Sequence, residues 1–181
     1  MKFKKFKFKK VRSTNNTAIR IIKKTNCKYG MVISESQTNG KGQYGRKWIS
    51  HKGNLFVTFF HEVNKIKLSI ATITKLNCLL IKKLISKYTN KKILYKKPND
   101  LFIDKKKICG ILQEIIFMQN KKYLITGIGI NINKSPYIKK CPTTNLNELT
   151  NKHIKINEIE KSLKQIFENN LLKMYNLKVN N

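Results

Sequence analysis

Acidic side chains are scarce in this sequence: its 181 residues include 9 Asp and Glu but 39 Lys and Arg, a formal net charge of +30. The shortage exceeds what an AT-rich coding sequence alone explains, and it predicts a surface that attracts polyanions. RNA or DNA binding is therefore one hypothesis. The positive charge is nearly all lysine scattered along the whole chain, however, and this pattern favours a solvated basic surface over one basic stripe.

Cysteine is also sparse. The four cysteines, Cys27, Cys78, Cys109 and Cys141, are too widely spaced for paired zinc ligands and too few for a disulfide scaffold. We therefore expect reduced thiols and a cytoplasmic protein.

Long apolar stretches are missing, which excludes a signal peptide and a membrane-spanning helix. At the start of the chain Phe6 and Phe8 alternate with lysines, a pattern that predicts a short first strand with one buried face. A length of 181 residues with 40% hydrophobic content fits one domain, residues 1–181, with a core large enough for a ligand pocket. We see no internal repeat.

The apolar periodicity predicts an α/β (α+β) fold in which a mixed, largely antiparallel sheet is backed by helices. Helices are expected after a cap at Ser13, over residues 68–88, and over residues 157–175 with Asn157 as the cap. The expected strands cover residues 31–34, 55–60, 93–95, 101–103, 108–118 and 123–132, the last four forming a meander. Residues 133–147 are expected to form a loop.

A glycine-rich basic loop lies between the strands at 31–34 and 55–60. Its glycines at 40, 42 and 45 satisfy a GxGxxG pattern, but a dinucleotide site needs a helix directly after the loop, and here a glycine turn and a strand follow. Permissive backbone with Lys41, Arg46 and Lys47 still suits a phosphate or carboxylate. An ordinary basic hairpin loop is the alternative interpretation.

Several short motifs occur together, in one order along the chain. They are Ser-Thr-Asn at 13–15, the glycine loop at 40–48, Lys-Lys-Pro-Asn-Asp-Leu at 96–101, Lys-Ile-Cys-Gly-Ile-Leu-Gln-Glu at 107–114, Gly-Ile-Gly-Ile-Asn-Ile-Asn at 127–133 and Pro-Thr-Thr-Asn-Leu at 142–146. In this order and spacing they resemble the biotin–protein ligase family.

The resemblance implies a fold akin to that of class II aminoacyl-tRNA synthetases. It also implies an enzyme that uses Mg²⁺ and ATP to convert biotin to biotinyl-adenylate and then transfers biotin to a lysine of a biotin carboxyl carrier protein. We expect a monomer or homodimer with no membrane association. Because no room precedes the first strand for a DNA-binding helix-turn-helix, we expect no specific DNA binding.

The resemblance also implies roles for individual residues. The biotin-binding set is Ser13, Thr14, Gln37, Gly40, Lys41, Gly42 and Gly110. The set for ATP and the adenylate is Gln43, Arg46, Trp48, Lys96 and Asn131, with Lys96 as the catalytic cation and Asp100 as a magnesium ligand. For three of these residues a structural role is the alternative: helix capping by Ser13, core packing by Trp48 and turn capping by Asp100. Asn15 is expected to have a structural role.

The chain departs from the family pattern in three ways. Gln43 stands where the family usually carries arginine, Lys97 stands where it carries tryptophan, and the usual small C-terminal β-barrel is not in the sequence. Three alternatives therefore stay open: a lipoate–protein ligase, a degenerate non-catalytic relative, and a basic RNA-binding protein.

Overall fold

The computed structural model describes residues 2–63, 68–118 and 120–175, the last five of them as backbone. The strands are β1 (Lys4–Phe8), β2 (Tyr29–Ser34), β3 (Gly40–Lys41), β4 (Lys47–Trp48), β5 (Leu55–Glu62), β6 (Ile93–Lys96), β7 (Asp100–Ile103), β8 (Lys106–Met118) and β9 (Lys121–Ile130). The helices are α1 (Thr14–Thr25), α2 (Ile70–Ile85), α3 (Leu146–Thr150) and α4 (Ile156–Tyr175).

Seven strands form one sheet in the order β1-β2-β5-β9-β8-β7-β6. The pair β1 and β2 is parallel, and the other neighbours are antiparallel. The fold expected from the sequence, a mixed and largely antiparallel sheet backed by helices, is confirmed. The strands β3 and β4 form a separate small hairpin within the glycine loop, which the sequence analysis did not anticipate.

Helices cover both faces of the sheet, and alternate side chains of β5 show how. The Phe59 ring stacks on Phe167 of α4 with centroids 4.2 Å apart, whereas Phe60 packs with Ala18 and Ile22 of α1. Successive strand residues point to opposite faces, so a strand between two helical layers must be apolar on both. This is why residues 55–61 are continuously buried.

Two helix starts differ from the expected ones, and one short helix, α3, was not expected. Helix α2 begins at Ile70 because the Ser69 hydroxyl accepts a 3.1 Å hydrogen bond from the Thr72 N–H. The expected cap of α4, Asn157, lies inside that helix, which begins at Ile156. Helix α3 follows the expected loop and is capped by Asn145, whose side chain accepts from the Glu148 N–H at 2.9 Å.

Within the described residues, no helix combines the length and the apolar content needed to cross a membrane.

Candidate functional site

Glycines on two central strands form the floor of the site. Gly110 of β8 pairs with Gly129 of β9, and Gly127 lies two residues before Gly129 on the same face. The Trp48 indole packs on this floor: a Cβ added to Gly129 would lie 2.4 Å from the ring, and one added to Gly110 would lie 2.6 Å from it. Glycine in a strand interior often marks such a close approach, so these glycines create the space.

A cavity of about 360 Å³ lies above this floor, between the N-terminus of α1, the glycine loop and the loop after β9. It brings together most of the residues predicted from sequence: Ser13, Thr14, Gln37, Lys41, Gly42, Gln43, Arg46, Trp48, Asp100, Gly110 and Asn131. Gly40 and Lys96 do not line it. A Cβ at Gly40 would instead lie 2.5 Å from the Trp48 carbonyl oxygen, so this glycine permits the β3–β4 pairing.

One side of the cavity carries uncharged hydrogen-bonding groups. Gln37 Oε1 accepts from the Thr14 N–H at 2.8 Å and from the Thr14 hydroxyl at 3.1 Å, and Gln37 Nε2 donates to Ser50 Oγ at 3.0 Å. Ser13 precedes α1 and its carbonyl accepts from Thr17, but its hydroxyl makes no capping bond. The Ser13 hydroxyl is therefore available to the cavity.

Asn15 fixes the start of α1 to the sheet. Its Nδ2 donates to Glu114 Oε2 at 2.6 Å, and its Oδ1 accepts from the Thr58 hydroxyl at 2.6 Å. The side chain fits because Gly127 leaves room: a Cβ there would lie 2.2 Å from Asn15 Oδ1. These contacts agree with the structural role considered for Asn15.

The cation on the opposite wall is Lys107. Its Nζ lies 2.7 Å from Asp100 Oδ1 and 5.3 Å from the centroid of the Trp48 ring, and its side chain is 16% exposed. The sequence analysis noted the motif at 107–114 but did not single out this lysine. Its neighbours Lys105 and Lys106 are exposed. Lys107 reaches the face that carries Gly110 because of a β-bulge in the β7–β8 pairing, where Leu101 pairs with Cys109 but Phe102 pairs with Lys107.

Lys96 is placed differently. It lies at the end of β6, an edge strand, and is exposed, with its Nζ 4.9 Å from the centroid of the buried Phe102 ring. The structure therefore does not bring Lys96 to the cavity.

The loop after β9 is held by asparagine side chains. Asn54 Oδ1 accepts from the backbone N–H groups of residues 132, 133 and 134, each at 3.0 Å. Buried Asn131 donates to the Thr144 carbonyl at 3.1 Å. The Asn131 amide thus already supports the cavity wall.

Two thiols in the hydrophobic core, Cys78 and Cys109, are poor nucleophiles and do not line the cavity. Burial raises the pKa of Cys78 to about 12 and raises that of Cys109 well above its usual range. The described part of the chain contains no cluster of three His, Cys, Asp or Glu side chains suited to a metal. Asp100 is the carboxylate that faces the cavity.

Comparison with known proteins gives consistent matches. The profile of the biotin/lipoate A/B protein ligase family matches residues 7–131. The chain is 29% identical to the bifunctional ligase/repressor BirA of Bacillus subtilis over 68% of its own length and 39% of the relative's. It is 30% identical to biotin–protein ligase 2 of Arabidopsis thaliana, over 65% and 36% of the two chains. The chain thus spans less than half the length of these curated relatives.

Solved structures show the same fold. The biotin protein ligase from Aquifex aeolicus in complex with biotin and ATP aligns with a TM-score of 0.78 and 30% identity, covering 95% of this chain and 72% of that one. The lipoate complex of LipL1 from P. falciparum aligns with a TM-score of 0.60 and 14% identity, covering 96% and 65%. At that identity the second match shows the fold alone. From the profile match and the Aquifex alignment, the chain belongs to the biotin/lipoate A/B protein ligase family.

Proposed function

We propose that this protein attaches biotin to a lysine of a biotin carboxyl carrier protein, using ATP and passing through biotinyl-adenylate. The observation that carries the proposal is the composition of the cavity. Neutral hydrogen-bonding groups stand on one side, and a positioned ammonium with an aromatic ring stands on the other. Biotin has the matching chemistry, with an uncharged ureido ring at one end and a carboxylate at the other.

The α1 side of the cavity would bind the ureido ring. Thr14 and Gln37 already hydrogen-bond one another, so their orientation is set before a ligand arrives. Ser13 adds a hydroxyl whose position is fixed by the first turn of α1. Directional donors and acceptors in a partly buried site give specificity because a mismatched ligand leaves them unpaired.

The Lys107 side would carry out activation. A biotin carboxylate oxygen attacks the α-phosphate of ATP, a bond to that phosphorus forms, and pyrophosphate leaves. Negative charge accumulates on the phosphate oxygens in the transition state, and a cation already in place stabilises it without reorganisation. We assign this role to Lys107 rather than Lys96, because Lys107 lines the cavity.

The glycine loop and Trp48 would hold the nucleotide. Lys41, Arg46 and Lys47 line the cavity and offer cations to the phosphates. The Trp48 ring offers a face on which adenine can stack. The β3–β4 pairing in this loop involves two residues on each side. Because so short a pairing restrains the loop little, the loop can close over the ligand.

Magnesium fits this site through Asp100. The ion commonly uses one or two protein carboxylates together with substrate phosphates, so a single carboxylate beside the phosphate position is sufficient. When bound it supplies positive charge to the phosphates. The 2.7 Å contact of Asp100 with Lys107 puts carboxylate and ammonium side by side in the cavity lining, which supports this assignment.

In the second step an acceptor lysine amine attacks the acyl carbon of biotinyl-adenylate. An amide bond forms, the mixed anhydride bond breaks, and AMP leaves with its electron pair.

Biotin-dependent ATP–pyrophosphate exchange tests the proposal. We expect exchange with biotin, no exchange with lipoate, and transfer of labelled biotin to a carrier domain when one is added. Exchange with lipoate alone would make the protein a lipoate ligase, an alternative suggested by the family profile and by the LipL1 fold. No exchange with either acid would favour a non-catalytic relative.

A further inference from the structure

Each of the two loops that border the cavity carries a highly exposed tyrosine. Tyr44 and Tyr137 are both 85% exposed. Gln43 beside Tyr44 lines the cavity, as do Pro136 and Ile138 on either side of Tyr137. Tyr137 therefore stands at the cavity mouth, whereas Tyr44 stands beside the cavity and lines a second pocket between the glycine loop and residues 112–114. Residues 41–49 and 134–141 are here called the rim.

Neither tyrosine is explained by folding. Tyr44 occupies the left-handed region at φ +54, which disfavours a bulky side chain, at a turn closed by the 2.7 Å bond from the Gly42 N–H to the Arg46 carbonyl. The loop that carries Tyr137 is anchored by Asn54, not by the tyrosine. Exposed tyrosines of this kind are enriched where a protein contacts another protein, because a rigid amphipathic ring contributes large contact area.

The rim is also uniformly basic. Its exposed cations are Lys41, Arg46, Lys47, Lys134, Lys139 and Lys140. No Asp or Glu occurs in residues 36–61 or 115–147. The ion pairs found among the described residues involve none of these six side chains. Lys41, Arg46 and Lys47 are assigned to the nucleotide, so Lys134, Lys139 and Lys140 are the rim cations that remain to attract a partner. Two carboxylates lie near the rim: Glu114 beside the glycine loop, and Glu148, which accepts a hydrogen bond from the Ser135 hydroxyl at 3.2 Å.

We propose that the rim is the docking surface for the acceptor protein and that the acceptor's surface around its target lysine is acidic. This inference rests on the proposed function, since only a macromolecular acceptor must bring a lysine into the cavity. A basic rim steers an acidic partner to the mouth and raises the association rate. Tyr44 and Tyr137 then contact the acceptor on opposite sides of the lysine.

A single-stranded RNA is the competing occupant for a basic surface with aromatic rings. RNA-binding surfaces usually stack successive bases on neighbouring aromatic side chains along one groove. Here the two tyrosines lie on two separate loops that each contribute other residues to the cavity lining. That arrangement suits a partner that inserts one side chain, so a protein acceptor is favoured.

The test compares rim variants in two assays on the full chain. The variants are Tyr137→Ser and the double charge reversal Lys139→Glu/Lys140→Glu, all outside the glycine loop that is assigned to the nucleotide. The matched control is Lys7→Glu/Lys9→Glu, which makes the same charge change at exposed positions on or beside β1. Biotin-dependent pyrophosphate exchange reports the first step without an acceptor, and kcat/KM for an acidic biotin carboxyl carrier domain reports docking and transfer.

We expect every rim variant to keep its exchange rate within about twofold and to lose about tenfold in kcat/KM, mainly through a higher KM for the carrier. The loss caused by charge reversal should shrink in about 0.5 M NaCl, because salt screens exposed charges. The control should keep both activities. A carrier domain with its acidic surface residues neutralised should be a poor substrate for wild type and insensitive to the charge reversal.

Three outcomes would overturn the proposal. One is an equal loss of kcat/KM in the rim and control variants, which would reflect the net charge of the whole protein. Another is unchanged kcat/KM in all rim variants. The third is weaker binding of a poly(U) oligonucleotide with undiminished carrier transfer, which would assign the rim to RNA. If wild type shows no exchange, the proposed function fails, and anisotropy of a labelled carrier domain still tests docking separately.

Discussion

The Lys107 ammonium lies 2.7 Å from the Asp100 carboxylate on the wall of the cavity, and the two side chains are 16% and 18% exposed. The pair joins β7 to β8 and holds the ammonium beside the Trp48 ring. A lysine restrained in this way is already oriented toward any anion that enters, so little reorganisation is needed when negative charge develops.

Replacing Lys107 with alanine should lower biotin-dependent pyrophosphate exchange by roughly two to three orders of magnitude, the usual effect of removing one preorganised transition-state contact. Lys96→Ala is the matched control, since that lysine is exposed and two strands away and should retain near-normal exchange. The reverse pattern would assign the catalytic cation to Lys96. Circular dichroism should show that both variants are folded.

Alanine at Gly129 should destabilise the fold by about 1–3 kcal/mol and impair exchange, because its Cβ would lie 2.4 Å from the Trp48 ring and force it into the cavity. The clash predicts strong coupling between the two positions. In a Trp48→Ala background the same glycine substitution should cost little stability. Urea unfolding of the four proteins measures the coupling, and additive effects would show that Gly129 does not act through Trp48.

Asn15→Asp should place a second carboxylate beside Glu114, where the amide now donates at 2.6 Å. The lost bond and the repulsion should cost about 2 kcal/mol or more at neutral pH. Two adjacent carboxylates cannot both ionise easily, so one folded-state pKa in the variant rises. A carboxyl group whose pKa is higher in the folded state than in the unfolded state binds its proton more tightly when the protein is folded. Its contribution to stability is therefore present at acid pH and is lost as the pH increases.

The stability gap between Asn15→Asp and wild type should therefore widen from about pH 5 to about pH 7. Urea midpoints across this range provide the measurement. The double variant Asn15→Asp/Glu114→Gln should recover most of the loss, because a neutral amide can donate to the new carboxylate. A gap that does not depend on pH, or no recovery in the double variant, would rule out direct contact between positions 15 and 114.

Gln43→Arg should slow the escape of biotinyl-adenylate by about tenfold. Gln43 lines the cavity and can donate only a neutral hydrogen bond, whereas an arginine adds a charge-assisted bond to the phosphate. The release rate of preformed labelled adenylate, measured without acceptor, compares the two proteins. Equal rates would mean that another cation of the loop governs retention, and Lys41 and Arg46 should then be replaced in turn.

Local chemistry in the sequence determined the fold class and predicted part of the site. The period of two in the strands and of 3.6 in the helices located the seven main strands and the three longer helices. The glycine loop followed by a strand excluded a dinucleotide fold, and most of the residues singled out from the motifs line the cavity. Each of these inferences depends on neighbours close in the chain, which a sequence displays directly.

Tertiary structure decided which lysine faces the cavity. Lys96 and Lys107 both lie in strongly basic segments. Because the chain has 36 lysines, composition cannot distinguish between the two. The choice depends on strand pairing: β6 is an edge strand on which Lys96 is exposed, whereas β8 lies deeper in the sheet and directs Lys107 toward Trp48. Likewise, Gly110 and Gly129 form one floor only because β8 and β9 pair in a register that places them side by side. Such contacts join residues far apart in the chain, so no local pattern contains them.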